Sequence, residues 1–302
     1  MSQSFTNRFI RTIVSGIFVL GSPGRPATAQ APQPAPQCTP AAALVAVPEL
    51  SEGSGIAASR LTPGRFWAHN DSGDPVLFAL DSTGRVVGRL QLPGASVDDW
   101  EAVAVGSCPS GSCIYVADIG DNNGTRKRIT LYRAPEPAAA TGPAEVKDVF
   151  HATYPDGAHD AEALLVAADG RLHVVTKGNT GPVALYRFPA ELQAGSTMRL
   201  ERVGEPRPRG STDKITDGAV SPDGRWVVLR STRALLFYRA TDLWAGNWRE
   251  AGRVALDTVG EPQGEGVTFG ADNSLYLISE GGGWKQPGRF ARLTCSLDRS
   301  SP

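Results

Sequence analysis

Hydrophobic positions in this chain come in short runs rather than in the i, i+3, i+4 spacing of helices. Short runs bounded by turn residues predict β-strands. Five of them begin on a small or acidic head: Ser54-Gly55-Ile56-Ala57, Glu101-Ala102-Val103-Ala104, Glu162-Ala163-Leu164-Leu165, Asp217-Gly218-Ala219-Val220 and Glu265-Gly266-Val267-Thr268. The heads recur about every fifty residues, a self-similarity that marks a repeat architecture. Tight-turn sequences follow: Thr62-Pro63-Gly64-Arg65, Ala168-Asp169-Gly170-Arg171, Ser221-Pro222-Asp223-Gly224-Arg225 and Ala271-Asp272-Asn273-Ser274, with a turn bracketed by Cys108 and Cys113 in the second unit. A second strand comes next (Phe66-Trp67-Ala68, Ile114-Tyr115-Val116, Leu172 to Val175, Trp226 to Leu229, Leu275 to Ile278). A third carries its own echo in Leu131-Tyr132-Arg133, Leu185-Tyr186-Arg187 and Phe237-Tyr238-Arg239. Val86 to Leu92, Val146 to Tyr154, Met198 to Val203 and Arg249 to Leu256 supply a fourth, and only Thr241 to Trp248 offers a turn or two of helix.

Four antiparallel strands repeated in this way predict an all-β fold, a β-propeller. One blade cannot bury both its faces, so neighbours must stack and the ring must close. Five blades are expected, with a sixth hidden in the irregular 134–154 stretch as the alternative. The last unit stops after its third strand, near Cys295, and Ala42 to Leu50 is an apolar run without a blade. That N-terminal run is expected to complete the last blade and set Cys38 beside Cys295. The short turn lets Cys108 pair with Cys113. Three connectivities are formally open to four cysteines; this one also fits ring closure.

Composition narrows the class. The 302 residues are 41% hydrophobic and 20% charged, ordinary for a globular protein, and Gly 34 and Pro 23 suit many turns. Arg8 and Arg11, the apolar run Ile13 to Leu20 and Ala27-Thr28-Ala29 together read as a signal peptide over 1–29. The apolar run is too short to span a bilayer, which needs about 20 residues. A Pro-rich tether over 30–40 and a propeller over 41–298 complete the organisation. Formal charge is −1; without the signal and its three arginines it falls to about −4, which argues against nucleic-acid binding. The expectation is a secreted or periplasmic monomer, with disulfides, no transmembrane segment in the mature chain, and a small-molecule ligand or surface partner.

Blade geometry then locates a site. Residues just before the inner strand and just after the second lie on one face, and the tight turns lie on the other. The first face gathers Glu52, Asp99, Glu101, Asp160, Glu162, Asp217 and Glu265. It also gathers His69-Asn70-Asp71, Asp118 to Asn123, Lys177, Arg230 and Glu280. Converging carboxylates raise one another's pKa unless a cation neutralises them, and hard oxygen donors favour Ca²⁺. The seven acids from Glu52 to Glu265 are therefore candidate metal ligands. The competing reading has each acid cap its own blade through backbone N–H groups. His159, Glu162 and His69 are candidate general bases. Lys177, Arg230, Asn70 and Asn122 are candidate substrate-binding residues. A Gly-x-Ser-x-Gly elbow, a P-loop and His-Glu-x-x-His or Cys-x-x-Cys zinc motifs are absent from the sequence.

The motifs Ser54-Gly55-Ile56-Ala57, His69-Asn70-Asp71-Ser72-Gly73, Asp99-Trp100-Glu101-Ala102, Asp118-Ile119-Gly120-Asp121-Asn122 and Glu265-Gly266-Val267 resemble exported bacterial propellers of the esterase-like phytase and calcium-dependent lactonase group. The resemblance implies channel carboxylates that bind calcium and a metal that polarises a phosphate or lactone oxygen. Two features depart from it: the relatives commonly have six blades, and Ser54 stands where an acid is usual. The resulting expectation is an acidic, calcium-binding channel mouth that binds or hydrolyses a small ester, lactone or phosphate compound, as a metal-dependent hydrolase if catalytic. A non-catalytic ligand- or partner-binding propeller and a glycosidase using paired carboxylates are the alternatives.

Overall fold

In the computed structural model, contacts divide the chain into Met1–Gln33 and Pro34–Pro302. The structure describes residues 1–4, 35–179, 181–205, 214–283 and 286–297. Apart from its first four residues the predicted signal peptide lies outside them, as do residues 30–34 of the tether. Every strand below belongs to Pro34–Pro302.

The strands form a five-bladed β-propeller. Blade 1 comprises Gly53–Ala58, Phe66–Asn70, Val76–Leu80 and Val86–Gln91. Blade 2 comprises Trp100–Cys108, Gly111–Asp118, Ile129–Pro135 and Asp148–Thr153. Blade 3 comprises Ala161–Val166, Leu172–Thr176, Leu185–Arg187 and Glu201–Gly204. Blade 4 comprises Ile215–Val220, Trp226–Ser231, Ala234–Arg239 and Glu250–Ala255. Blade 5 comprises Gln263–Phe269, Leu275–Glu280 and Gly288–Ser296. Each inner strand neighbours the next in cyclic order, and the fifth returns to the first.

Both faces of every blade must be apolar, because each blade is sandwiched. Side chains alternate along a strand, so the second strands read as unbroken hydrophobic runs. Trp226 and Val228 pack towards blade 5, whereas Val227 and Leu229 pack towards blade 3. Five separate cores result, one at each blade interface. Trp67 and Trp100 dominate the first, Phe150 and Tyr186 the second, and Phe66, Tyr276 and Phe290 join the last blade to the first. Each inner hairpin turn places one residue at positive φ: Gly64, Gly111, Gly170, Gly224 and Asn273. Asn273 keeps the conformation at φ 60° without glycine because asparagine tolerates the left-handed region.

Closure differs in detail from the single N-terminal strand expected over Ala42 to Leu50. Two short pieces, Gln37–Pro40 and Val45–Val47, both pair antiparallel with Gly288–Ser296. The second piece ends because Pro48 supplies no N–H and opens the 3-10 turn Pro48–Leu50. Strand pairing thus begins inside the stretch read as tether. Cys38 lies opposite Cys295 in that ladder and is bonded to it, and Cys108 is bonded to Cys113. The irregular 134–154 stretch holds no sixth blade. Gly142–Pro143 extends the outer edge of blade 1, and Asp148–Thr153 is the fourth strand of blade 2. Met198 to Val203 is likewise divided, since Thr197–Arg199 pairs with blade 2 and Glu201–Gly204 with blade 3. The short helix is Ala240–Trp244.

The Cys38–Cys295 bond spans 257 residues of sequence. Loop-closure entropy assigns such a link about 5 kcal/mol and the Cys108–Cys113 link only about 2. Cys38→Ser is therefore expected to lower the urea midpoint far more than Cys108→Ser; equal losses would contradict the clasp.

Candidate functional site

All five inner strands carry the same irregularity at their heads. In blades 2, 3 and 4 the ladder steps from Trp100 to Ala102, Ala161 to Ala163 and Ile215 to Asp217 against single steps on the second strand. In blades 1 and 5 the extra residue falls between Gly53 and Ile56 and between Gly264 and Val267. Counted from the second strand, the extra positions are Ser54, Glu101, Glu162, Thr216 and Glu265. A bulge re-aims a side chain that a regular pleat would bury in the wall. Two of these residues tie blades together: Ser54 Oγ donates to Glu101 O at 2.9 Å, and Thr216 Oγ1 donates to Glu265 O at 2.9 Å.

Three carboxylates from neighbouring blades converge at these heads. One oxygen each from Glu101, Asp160 and Glu162 lies within 4.8 Å of the others. All three residues are buried. Lys177, directly after the second strand of blade 3, pairs with Glu162 and lies 3.9 Å from Asp160 Oδ2. Ser54 Oγ also reaches Glu101 Oε2 at 3.0 Å. Asp160 Oδ1 accepts the Asp121 N–H at 2.9 Å, whereas Asp160 Oδ2 is buried without a hydrogen bond. Gly120 permits the approach. A Cβ there would lie 2.4 Å from the Asp99 carboxylate and 2.6 Å from Glu101 Oε1.

Burial dominates the electrostatics. It pushes Glu162 up to about 8, against the downward pull of Lys177, and Asp160 and Glu265 push the same way. Burial and then the Glu162 charge raise Glu101 well above the carboxylate range. Burial alone would lower the pKa of Lys177, but Glu162, Glu101 and Asp160 more than offset this and hold its ammonium charged. A half-buried arc continues the acidic field. Glu280 is pushed up to about 7 by burial and by Glu265, Asp71 and Glu52; burial, then Glu52, raises Asp71, and burial, then Asp160, raises Asp99.

Other candidates belong to the wall. Asp217 sits one residue past its bulge, where the other blades have Gly55, Ala102, Ala163 and Gly266. Its buried Oδ2 accepts the Val267 N–H of blade 5 at 2.8 Å, the cap that the competing reading proposed. Arg230 has no solvent exposure. Its guanidinium donates to Gly266 O (2.7 Å), Ile278 O (3.0 Å) and Glu261 Oε2 (2.5 Å). Its donors therefore face the interface between blades 4 and 5, not a mouth-bound ligand. His69 stands at the equivalent place in blade 1, packed edge-on against Trp100 and fully buried. Burial lowers it to about 4, so it is neutral at physiological pH.

The remaining candidates scatter. Asn70 accepts the Glu52 N–H and donates to Glu49 O, which anchors the N-terminal segment. Asn122 is exposed on its loop, and exposed Glu52 accepts from Ser72 Oγ at 2.7 Å. Glu265 is held by Gln263 at 3.0 Å. His159 is set by Asp156 and the Tyr186 hydroxyl, each 3.0 Å from Nε2, and no hydrogen bond joins it to the three carboxylates. Two residues escaped the sequence reading. Thr216 was legible only by counting register back from the second strand, and Glu261 carries no repeat signal at all.

The opposite face carries the hairpin turns. A cavity of about 400 Å³ opens among the hairpin ends, lined by residues such as Ile56, Val103, Val105, Leu164, Val166 and Phe269. The chemistry and this cavity lie at different ends of the axis.

No protein-family model matches the sequence, and no curated protein matches it. Solved structures do. The chain is similar to a luciferin-regenerating enzyme at 12% identity and a TM-score of 0.47, covering 83% of this chain and 94% of that one. It is similar to the PQQ-bound form of aldose sugar dehydrogenase from Streptomyces coelicolor at 12% identity and 0.47, covering 87% and 100%. A streptogramin B lyase aligns at 13% identity and 0.41, covering 87% and 98%. Likeness at this level assigns no activity.

Two outcomes are expected. Because Glu162 binds its proton more tightly folded than unfolded, stability falls as pH rises between about 4.5 and 8. In chelator, Tm should therefore drop several degrees from pH 5 to pH 8, and Glu162→Gln should flatten that slope. His69 acts in the opposite sense, and its stabilisation is lost as pH falls from 6.5 towards 4. Arg230→Met should cost about 3–5 kcal/mol, because it leaves Glu261 buried and unpaired. Arg230→Met/Glu261→Leu should recover much of that loss in denaturant titrations.

Proposed function

We propose that this propeller is exported and holds a divalent cation, calcium, at its acidic mouth, where it binds or hydrolyses a small ester, lactone or phosphate compound. The two disulfides and the predicted signal peptide support export. No described helix is long and apolar enough to cross a membrane. The observation that carries the cation reading is the Glu101, Asp160 and Glu162 cluster with its unbonded Asp160 Oδ2. Calcium takes oxygen ligands at 2.3–2.6 Å, so oxygens no more than 4.8 Å apart can share one ion. Ionising all three buried carboxylates against one ammonium would leave negative charge out of water, and a divalent cation would balance it.

Bound there, calcium would supply Lewis acidity toward a carbonyl or phosphoryl oxygen. The chain's own residues supply the remainder. Asp99, half-buried beside Glu101 and raised by burial and then by Asp160, is the carboxylate placed to take a proton from water at the mouth. Glu101 and Glu162 act as ligands in this reading, which transfers the base role from Glu162 and His159 to Asp99. Lys177 is the candidate anion-binding residue left at the mouth, since Arg230 and Asn70 serve the wall and the N-terminal segment.

Calcium is expected to raise the wild-type Tm, by about 2.7 kcal/mol of stability at a hundredfold excess over Kd. Glu101→Gln and Asp160→Asn should abolish the shift. An unchanged wild-type Tm, with no calcium retained after dialysis, would overturn the proposal.

A further inference from the structure

The cluster already contains a cation. Lys177 Nζ pairs with Glu162 Oε1 and lies 3.9 Å from Asp160 Oδ2, two of the oxygens that a metal would need. Both of those oxygens are shut from solvent. The Lys177 side chain, by contrast, is 20% exposed and has a way out to the mouth. Its backbone is fixed on both sides: its N–H donates to Asp160 O at 2.9 Å, and its carbonyl accepts the Ile215 N–H of blade 4 at 3.0 Å. Any movement therefore belongs to the flexible four-carbon stem alone.

An ammonium and a divalent ion cannot both occupy the contact position on Glu162, because like charges at that separation repel strongly in a buried site. We infer that Lys177 is a tethered counter-ion of the carboxylate cluster, which a divalent cation displaces from Glu162 on binding; this rests on the cation reading above. The lysine keeps the cation-free site charge-compensated and weakens its affinity for metal. It also sets selectivity, since a monovalent ion gains little by replacing a charge equal to its own.

Competition predicts a sign opposite to that of an ordinary supporting residue. Calcium binding to the full-length wild type, Lys177→Met and Lys177→Gln is measured by calorimetry, with circular dichroism as the folding control. Both variants should bind calcium more tightly, by about tenfold or more. A second measurement needs no mutation: reductive dimethylation of the wild type, mapped by peptide mass spectrometry with and without calcium. Calcium should speed labelling of Lys177 and leave distant lysines unchanged. Unchanged or weaker binding in folded variants, or Lys177 labelling that calcium slows or leaves alone, would overturn the inference while the metal site stands. Absence of calcium binding in wild type and variants alike would remove both.

Discussion

Ring closure is the constraint on which everything else in this protein rests. Each blade has two apolar faces, so a blade without neighbours would expose both and could not hold its fold. The two N-terminal pieces on Gly288–Ser296, with the Cys38–Cys295 bond between them, complete the last blade with residues from the opposite end of the chain. Once the circle is closed, five inner strands must meet at one axis. The residues at their heads then meet as well, however far apart they lie in sequence.

Convergence alone would bury charge at random; the bulges decide which charges reach the axis. At each strand head one residue is released from the pleat, and in three blades that residue is a glutamate. The residue after it returns to the wall, where only a small side chain or a fully bonded one is tolerated. Asp217 meets that requirement through the Val267 N–H. Arg230 and Glu261 offset each other's charge as a pair, and two carbonyls accept from the guanidinium as well. Mouth and wall thus hold similar residue types under different rules. In the wall Arg230 and Glu261 pair one to one; at the mouth three carboxylates share a single close ammonium among the described residues.

The same distinction explains what could be read from sequence. The fifty-residue echo, the strand runs and the terminal cysteines carried the propeller, because they follow from spacing and from period-two burial. The phase of the bulge did not show. Asp217-Gly218-Ala219 looks like Glu265-Gly266-Val267, yet the register places Thr216, not Asp217, at the position of Glu265. His69 and Arg230 failed for a related reason. Both lie one residue before a strand end and point between blades, whereas Asp71 and Lys177 lie one residue beyond their strands and Glu280 is the last residue of its own, and these face the mouth. Inside the strand the ladder fixes where a side chain points, past its end the loop does, and degenerate motifs do not place a strand end to the residue.

The withdrawal of Arg230 into the wall changes what the mouth can accept. A second cation there would offset part of the acids' repulsion toward an anionic ligand. Without Arg230, the cations left near the mouth are Lys177, already paired to Glu162, and Arg126, already paired to Asp98 and Asp118, against the acids Glu52, Asp71, Asp99, Glu265 and Glu280. In a partly desolvated funnel that repulsion is worth several kcal/mol. In the proposed reading, an anionic phosphate compound is therefore held only after positive charge has been added to the cluster, a demand that a neutral ester or lactone does not make. In that reading cation binding becomes a precondition for binding an anionic substrate, and the order of events follows from charge.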